Sequence, residues 1–240
     1  ILDVGSNDGT LLKCFFTKGF KNTLGIDPAS EIVDRANKEG VKTIKGYMNI
    51  QSAEKIYSEF GKAKVITANN VFAHADDLQE MLESIKLLMD ENSVFVFEVS
   101  YLLDVVSKML IGTIFHEHLS YHSVKTLQYF FDNNGMELIN VERGPEQGGS
   151  IIGYAQKKGG LITKNLSNVN KLLSLEKNFG LNNIKKIIEM NDKLFSIKKE
   201  LNKIIQNAKS EKKNISGFGA ARSGTTFLSY FDIGKYIDYL

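Results

Sequence analysis

The sequence predicts an α/β fold in which a parallel sheet is covered by helices on both faces. Over residues 1–100, short apolar runs typical of buried strands alternate with segments in which apolar residues recur at helical spacing. A glycine-containing turn follows the first of these strands and leads directly into a helix, as in nucleotide-binding α/β folds. Such alternation implies right-handed crossovers, which place helices on both faces of the sheet.

The apolar runs predict five strands in the first hundred residues, at 1–4, 22–26, 41–44, 64–68 and 93–99. The intervening helices are expected at 10–18, after Pro28 with Ser30 as N-cap, at 53–60 and at 76–89. Beyond residue 100 we expect a helix at 123–133 and strands at 137–142 and 150–156. Because glycines and a proline join these last two strands, they are predicted to form an antiparallel pair at the sheet edge.

The remaining residues divide the chain further. Residues 159–213 are rich in Lys and Asn with apolar residues at helical spacing, which predicts one or two amphipathic connecting helices. From Asn214 a second strand, glycine turn and helix begin. We therefore expect an α/β domain over 1–157, a helical connector over 158–213 and the start of a second α/β domain over 214–240. The strand-like end and the lack of an initiator Met suggest a segment of a longer protein.

Composition excludes several classes of protein. The 240 residues are 42% hydrophobic and 24% charged, which is typical of a globular domain and not of a disordered chain. The net charge of +2 gives no broad footprint for nucleic acid or an anionic membrane. No run of about 18 apolar residues predicts a membrane-spanning helix. The single Cys14, expected to be buried, excludes an internal disulfide or multi-cysteine zinc site and fits a cytoplasmic protein.

The first glycine turn has the pattern acidic-x-Gly-x-Asn-x-Gly. It contains Asp3, Gly5, Asn7, Asp8 and Gly9, and Asn tolerates a positive φ better than most side chains. Glycines allow the backbone to approach a ligand closely, and amides at the helix N-terminus face that ligand. Two carboxylates would repel a pyrophosphate, so the turn favours a cofactor with a cationic amino-acid moiety.

Further cofactor contacts are expected at the ends of the second and fourth strands. Asp27, followed by Pro28, ends the second strand, where an acid accepts hydrogen bonds from ribose hydroxyls. Asn69, Asn70 and Phe72 follow the fourth strand at the carboxyl edge of the sheet, where open α/β sheets bind ligands.

The first hundred residues resemble a Rossmann-like class I methyltransferase that uses S-adenosyl-L-methionine. The longer pattern resembles the nucleotide-sugar C-methyltransferase family. This resemblance is carried by residues 3–12 (DVGSNDGTLL), 70–74 (NVFAH), 115–121 (FHEHLSY), 148–150 (GGS) and 217–220 (GFGA). It implies methylation at C3 of a 4-keto-deoxy nucleotide sugar, with a zinc-binding domain before the methyltransferase domain in the whole protein.

Three of the four histidines cluster in one segment, at His116, His118 and His122. The spacing leaves open a metal site, a polar loop with satisfied histidines, and general acid–base chemistry. We favour acid–base chemistry, because a carbon next to a ketone must lose a proton before it attacks a methyl group. Histidine serves as a base near neutral pH.

The family resemblance assigns roles within this segment. It implies that His118 is the base and that Glu117 and the aromatic before the run line the site. Glu117 is a candidate to orient or tune the base, and His116 is a candidate for substrate contact. That aromatic is often Tyr in the family but is Phe115 here, so Tyr121 is a candidate for the hydroxyl role.

Two glycine-rich turns are further candidates for substrate binding. Gly148, Gly149 and Ser150 precede a strand, and the family uses this stretch near the substrate. In the second turn, amides near Gly219 and the side chain of Arg222 are expected to hold the diphosphate of a sugar nucleotide.

Three rival functions remain open at this stage. An O-methyltransferase would also need a base, but its acceptor would not exchange a carbon-bound proton with solvent. A nicotinamide-dependent oxidoreductase is disfavoured by Asp8 and by the missing G-x-G-x-x-G pattern. A truncated, non-catalytic S-adenosylmethionine-binding fragment is the third.

Overall fold

The computed structural model describes residues 1–219 and 222–239, except for the side chains of Arg222 and Ser223. Within these residues, seven strands form one sheet. They are β1 (Leu2–Val4), β2 (Leu24–Asp27), β3 (Thr43–Lys45), β4 (Val65–Asn69), β5 (Val94–Ser100), β6 (Met136–Gly144) and β7 (Ser150–Lys157). The helices are α1 (Thr10–Thr17), α2 (Ser30–Lys38), α3 (Ile50–Phe60), α4 (Leu78–Leu87), α5 (Leu102–Ser107), α6 (Val124–Asn133), α7 (Leu166–Phe179), α8 (Ile184–Ser210) and α9 (Arg222–Phe231).

The strand order β3-β2-β1-β4-β5-β7-β6 confirms the expected fold class. Strands β1 to β5 pair in parallel, and β7 runs antiparallel between β5 and β6. The predicted antiparallel pair is therefore present, with β6 at the edge. The order reverses between β1 and β4, so the carboxyl ends of these two strands flank a crevice where ligands of open α/β sheets bind.

Aromatic packing fixes the centre of the sheet beside this crevice. Phe95 and Phe97 on β5 pack with Phe131 of α6 and with Phe72, which lies in a 3₁₀ turn after β4. All four rings are fully buried. Because the turn carrying Phe72 is held by this packing, the loop after β4 has a fixed position relative to the sheet.

Two local expectations are wrong. Ser30 does not cap α2: it is the first helical residue, and Ala29 before it supplies no side-chain cap. Cys14 is exposed, because it lies on the face of α1 opposite the buried Leu12.

Helix α3 begins at Ile50, three residues before its predicted start, because the Asn49 side chain accepts a hydrogen bond from the amide of Ser52 (2.9 Å).

The predicted connector consists of the two helices α7 and α8. The strand expected after Asn214 is reduced to one parallel bridge, between Ser216 and Tyr239. Helix α9 follows the second glycine turn and packs against α8 and against the 3₁₀ turn Ile111–Thr113. Ala220 of the glycine-turn motif lies outside the described residues. Among the helices that are described, none is long and apolar enough to cross a bilayer.

Candidate active site

A large open cavity of about 1080 Å³ lies at the carboxyl edge of the parallel strands. The predicted site residues that line it are Gly5, Asn7, Asp27, Pro28, Asn69, Asn70, Phe115, Glu117 and His118. The glycine turn, the ends of β2 and β4 and the histidine segment therefore contribute to one site, although they are distant in sequence.

The first glycine turn has the backbone conformation that its sequence indicates. Gly5 and Asn7 have φ values of 68° and 50°, in the left-handed region. A Cβ on Gly5 would lie 2.3 Å from Cγ2 of Val71, another residue of the cavity wall. Only glycine fits this position, since a side chain would meet both an unfavourable φ and the loop after β4.

Asp27 connects the glycine turn to the end of β2. Its Oδ2 accepts a hydrogen bond from the amide of Asn7 (3.0 Å) and its Oδ1 accepts one from the amide of Ala29 (2.9 Å). A carboxylate has about four lone-pair sites, so two remain for a ligand. The bonds hold Asp27 at the cavity wall in one orientation, as a ribose-binding acid requires.

Asp3, Asp8 and Gly9 do not line the cavity, in contrast to the sequence expectation. Asp3 is buried in β1, where it accepts a hydrogen bond from the Thr67 hydroxyl (2.6 Å). Burial raises the pKa of this carboxyl to about 6, against the Thr67 hydrogen bond, which lowers it. Asp8 instead accepts hydrogen bonds from the hydroxyl and amide of Thr10 at the start of α1, and these bonds lower its pKa.

The loop after β4 is divided between the cavity and the core. Asn69 and Asn70 line the cavity, and Asn70 has a φ of 54°. Phe72, expected to contact the cofactor, lies outside the cavity wall, because its ring is enclosed by other aromatic rings, including that of His122. His74, two residues further on, does line the cavity.

Residues 46–49, which sequence reasoning missed, form a further part of the wall. They follow β3, whose carboxyl end reaches the same sheet edge as those of β1, β2 and β4. The sequence could have predicted this part of the wall, because the loops that follow successive parallel strands meet at one edge of the sheet. Tyr47 in this loop is 73% exposed, so its ring lies open at the cavity rim.

The structure separates the three clustered histidines. His118 lines the cavity, with its ring 5.0 Å from that of His74 and 4.4 Å from that of Phe115. The His116 side chain is 83% exposed and lies outside the cavity wall. His122 is buried, and burial lowers its pKa to about 4. Among the described residues, no group of three or more His, Cys, Asp or Glu is placed to hold a metal ion.

One backbone carbonyl fixes the orientation of His118. Its Nδ1 lies 2.8 Å from the carbonyl oxygen of Thr113, which also accepts a hydrogen bond from the Tyr121 hydroxyl (3.2 Å). Because a carbonyl only accepts hydrogen bonds, Nδ1 carries the proton and Nε2 of the neutral ring is the basic nitrogen. Tyr121 lies outside the cavity wall, so the structure places it behind His118, where burial raises its pKa.

The two substrate-binding turns contribute less to the cavity than expected. Gly148, Gly149 and Ser150 do not line it, but the preceding Gln147 does. The Ser150 hydroxyl donates instead to Oε1 of Glu98 (2.7 Å). Gly219 is not part of the wall either. The side chain predicted to bind diphosphate, at position 222, lies outside the described part of the chain.

The cavity is acidic. Its described lining contains no Lys or Arg side chain. It contains five carboxylates, those of Asp27, Asp76, Asp77, Glu80 and Glu117. Such a lining attracts a cationic ligand and repels a phosphate.

A parallel sheet with an antiparallel β7 next to its edge, and a cavity over β1 and β4, defines a class I methyltransferase domain. Family comparison agrees: residues 1–141 match a family described as a methyltransferase domain, and residues 145–240 match one described as a C-methyltransferase C-terminal domain. The chain belongs to the methyltransferase domain family. This confirms an S-adenosyl-L-methionine-dependent methyltransferase domain.

Individual relatives agree with this assignment. The C-methyltransferase NovU of Streptomyces niveus is 27% identical over 234 residues, which cover 98% of this chain and 55% of that protein. The chain thus spans about half the length of this curated relative.

Solved structures support the fold. A methyltransferase from Anabaena variabilis superposes with a TM-score of 0.52 at 15% identity, over 65% of this chain and 76% of that one. Magnesium protoporphyrin IX methyltransferase from Synechocystis, solved with bound S-adenosylhomocysteine, gives 0.50 at 16% identity, over 64% and 72%. At these identities the similarity shows the fold alone.

Proposed function

We propose that the protein containing this chain is a C-methyltransferase for a 4-keto-deoxy nucleotide sugar, and that His118 generates the nucleophile. The observation that carries the proposal is the orientation of His118. Its Nδ1 is held on the Thr113 carbonyl, while its ring lines the same cavity as the glycine turn and Asp27. A base and a cofactor site thus share one cavity, as carbon methylation requires.

The charge of the cavity supports S-adenosylmethionine as the occupant. This cofactor carries a sulfonium and an ammonium group against one carboxylate, so its net charge is positive. Asp27 and the acidic side chains at positions 76, 77 and 80 favour that charge. A nicotinamide dinucleotide would instead bring its pyrophosphate into an acidic cavity whose described wall offers no Lys or Arg.

The chemistry assigns separate tasks to the side chains. Bound S-adenosylmethionine supplies an electrophilic methyl group on sulfur. Nε2 of His118 takes the proton from the acceptor carbon next to the ketone, and the electron pair of that C–H bond forms an enolate on the acceptor. With S-adenosylmethionine bound, the electron pair of the enolate carbon would form the new bond to the methyl group, and the pair of the former S–CH₃ bond would remain on sulfur. Glu117 lines the same cavity, and we assign to its carboxylate the stabilisation of the imidazolium that forms.

The acidic lining also indicates where the acceptor's phosphates go. A diphosphate is repelled by the cavity, so we expect only the sugar to enter it. The diphosphate is assigned to the second glycine turn, near Gly219 and Arg222. Helix α9 follows this turn and packs on the 3₁₀ turn Ile111–Thr113, whose last residue orients His118.

We also propose that the chain divides into three parts, which end at residues 157, 213 and 240. Residues 214–240 begin a nucleotide-binding unit, and helices α7 and α8 connect this unit to the methyltransferase domain over residues 1–157. On the family resemblance we also expect a zinc-binding N-terminal domain and a cytoplasmic location for the whole protein.

Thermal melting with S-adenosylhomocysteine and with NADH tests the cofactor. Ligand at 100 times its dissociation constant stabilises the folded state by about 2.7 kcal/mol, a shift of about 5 °C or more at this size. We expect the shift with S-adenosylhomocysteine alone. A shift with NADH alone would contradict the assignment of the cavity.

Solvent exchange tests the base. In D₂O, without methyl donor, the wild type should incorporate deuterium at the acceptor carbon of a thymidine-diphosphate 4-keto-6-deoxy sugar. His118→Ala should slow exchange and methylation about 100-fold or more, with unchanged S-adenosylhomocysteine affinity. The matched control is His116→Ala, since that side chain lies outside the wall. Unchanged exchange in His118→Ala would remove His118 from the mechanism, and methylation without exchange in the wild type would favour an O-methyltransferase.

A further inference from the structure

Gln147 stands out among the cavity-lining residues because of its backbone conformation. It lies in the turn between β6 and β7 with φ 53° and ψ 26°. This left-handed conformation is uncommon for a residue other than Gly, Asn or Asp. The two residues after it are glycines, either of which would adopt a positive φ without strain, yet the strained position carries a long amide side chain.

The rest of the turn is fixed from outside. Lys108, which follows α5, donates a hydrogen bond from Nζ to the carbonyl oxygen of Gly148 (2.6 Å), and its Nζ also pairs with Asp104 (2.8 Å). The amide of Tyr101 donates to the carbonyl oxygen of Gly149 (3.1 Å). These bonds fix the carbonyl groups of both glycines that follow Gln147.

An ion pair between the buried Asp104 and the half-exposed Arg143 lies next to the turn. The Asp104 side chain is fully buried and accepts two hydrogen bonds from the Arg143 guanidinium, at 2.9 and 2.6 Å. The backbone of Gly149 lies directly against Asp104, where a Cβ would be 2.3 Å from the carboxyl carbon. A Cβ on Gly148 would lie 2.9 Å from Leu110, which is itself a cavity residue. These contacts fix both glycines that follow Gln147, and we infer that they hold Gln147 in its left-handed conformation.

The Gln147 side chain itself is exposed and makes no hydrogen bond to the described residues. It does nothing for the turn that a glycine would not do better. Yet it lines the cavity together with Phe115, Glu117 and His118. Strained residues that are held by their surroundings cluster at active sites and ligand-binding sites.

We propose that Gln147 is an acceptor-binding residue, whose side-chain amide binds a hydroxyl or carbonyl oxygen of the methyl acceptor while His118 removes the proton. The inference rests on the proposed function, since it presumes an acceptor in this cavity. An amide both donates and accepts hydrogen bonds without carrying charge. It suits the neutral sugar and not the diphosphate.

Two variants of Gln147 and one control variant test the proposal without risk to the fold. Gln147→Gly removes the amide and relieves the positive φ, so it should melt no lower than the wild type. Gln147→Asn keeps the amide one methylene shorter in a residue that tolerates this conformation. Gln206→Ala, on an exposed face of α8, is the matched control for loss of a glutamine amide.

Steady-state kinetics with thymidine-diphosphate 4-keto-6-deoxyglucose and S-adenosylmethionine give the primary readout. Loss of one neutral hydrogen bond corresponds to a change of about tenfold. We expect Gln147→Gly to raise the acceptor KM by about that factor while the S-adenosylhomocysteine Kd stays within about twofold, with Gln147→Asn in between. Gln206→Ala should match the wild type.

The outcomes separate this inference from the proposed function. An acceptor KM within about twofold of wild type in Gln147→Gly, or an equal loss of S-adenosylhomocysteine affinity, would overturn the role of Gln147 while methylation persists. If the wild type binds S-adenosylhomocysteine but neither methylates nor exchanges any of the thymidine-, cytidine- or guanosine-diphosphate 4-keto sugars, the proposed function fails and the inference fails with it.

Discussion

Replacing Glu176 with Ala removes a buried carboxylate that joins α7 to the methyltransferase sheet. In the folded chain its Oε1 accepts hydrogen bonds from the Tyr101 hydroxyl (3.0 Å) and the amide of Val124 (2.6 Å). Its Oε2 accepts one from the amide of Lys125 (3.2 Å). Val124 and Lys125 begin α6, so the carboxylate also lies at the positive end of a helix dipole. Burial and the neighbouring Glu176 raise the pKa of Tyr101, so its hydroxyl stays a donor.

The expected cost follows from the groups left behind. Tyr101 and Val124 are fully buried, so both donors would lose the carboxylate oxygen that accepts their hydrogen bonds. A buried donor without an acceptor costs about 1–3 kcal/mol, which gives about 3–5 kcal/mol for Glu176→Ala with the lost helix interaction. Glu176→Gln keeps one acceptor oxygen but turns an NH₂ group toward donors, and we expect about 2 kcal/mol.

Urea denaturation followed by circular dichroism measures these values. The control is Glu189→Ala, which removes an exposed glutamate from α8 and should leave the midpoint unchanged. Tyr101→Phe removes one of the stranded donors, so Glu176→Ala should cost about 1–3 kcal/mol less in that background. A loss below about 1 kcal/mol for Glu176→Ala, at equal m-value, would refute the reasoning, because it would mean that the stranded donors find other partners.

Three further predictions concern pH and the cofactor turn. The pKa of Asp3 is about 6 in the folded chain against an ordinary 3.8. The free energy of unfolding should therefore be higher below pH 4 and should fall by about 3 kcal/mol as the pH rises through 6. Urea midpoints of Asp3→Asn should lack this fall. The pKa of His122 is about 4 in the folded chain against an ordinary 6.5. The free energy of unfolding should therefore fall by about 3 kcal/mol as the pH drops from 6.5 toward 4, and His122→Gln should remove this fall. If the Asp3 and His122 variants changed the pH dependence of stability in the same direction, the assignment would be contradicted. Gly5→Ala should weaken S-adenosylhomocysteine binding about tenfold or more in calorimetry, because the added Cβ would meet Val71. The control is Gly19→Ala, which also has a positive φ but has open space around its Cβ, and which should bind normally. Equal binding by both variants would show that crowding at the turn is unimportant.

Much of the fold was predictable because its signals are local. Apolar runs placed all seven strands, and their alternation with helices predicted the parallel pairing of the first five. The predictions were wrong where contacts in the folded chain override the preference of a single residue. Ser30 has the chemistry of an N-cap, but the hydrogen bond of Ala29 to Asp27 holds the chain so that α2 begins one residue earlier. Cys14 was expected to be buried from its residue type, but the burial of α1 is limited to Leu12.

The candidate site was predictable in outline only. A strand end followed by Gly, Asn or Asp indicates the cavity edge, and this rule found Gly5, Asn7, Asp27 and Asn70. The same rule gives no side-chain direction, since neighbouring residues on one turn point to opposite sides. Phe72 and Asn70 are two residues apart, and one packs in the core while the other lines the cavity.

The sequence by itself determined the class of protein, because strand periodicity, glycine turns and the acid at the end of β2 each depend only on residues that are close together in the sequence. The family resemblance already indicated His118 as the base, but only the tertiary structure shows where the side chains of the three clustered histidines lie. Three histidines lie within seven residues, and packing alone leaves one in solvent, one at the cavity and one in the core. The role of Gln147 was likewise invisible in the sequence, because its conformation is imposed by Lys108 and Asp104, about forty residues away. Contacts of that range depend on the packing of α5 against the β6–β7 turn, and no local pattern encodes them.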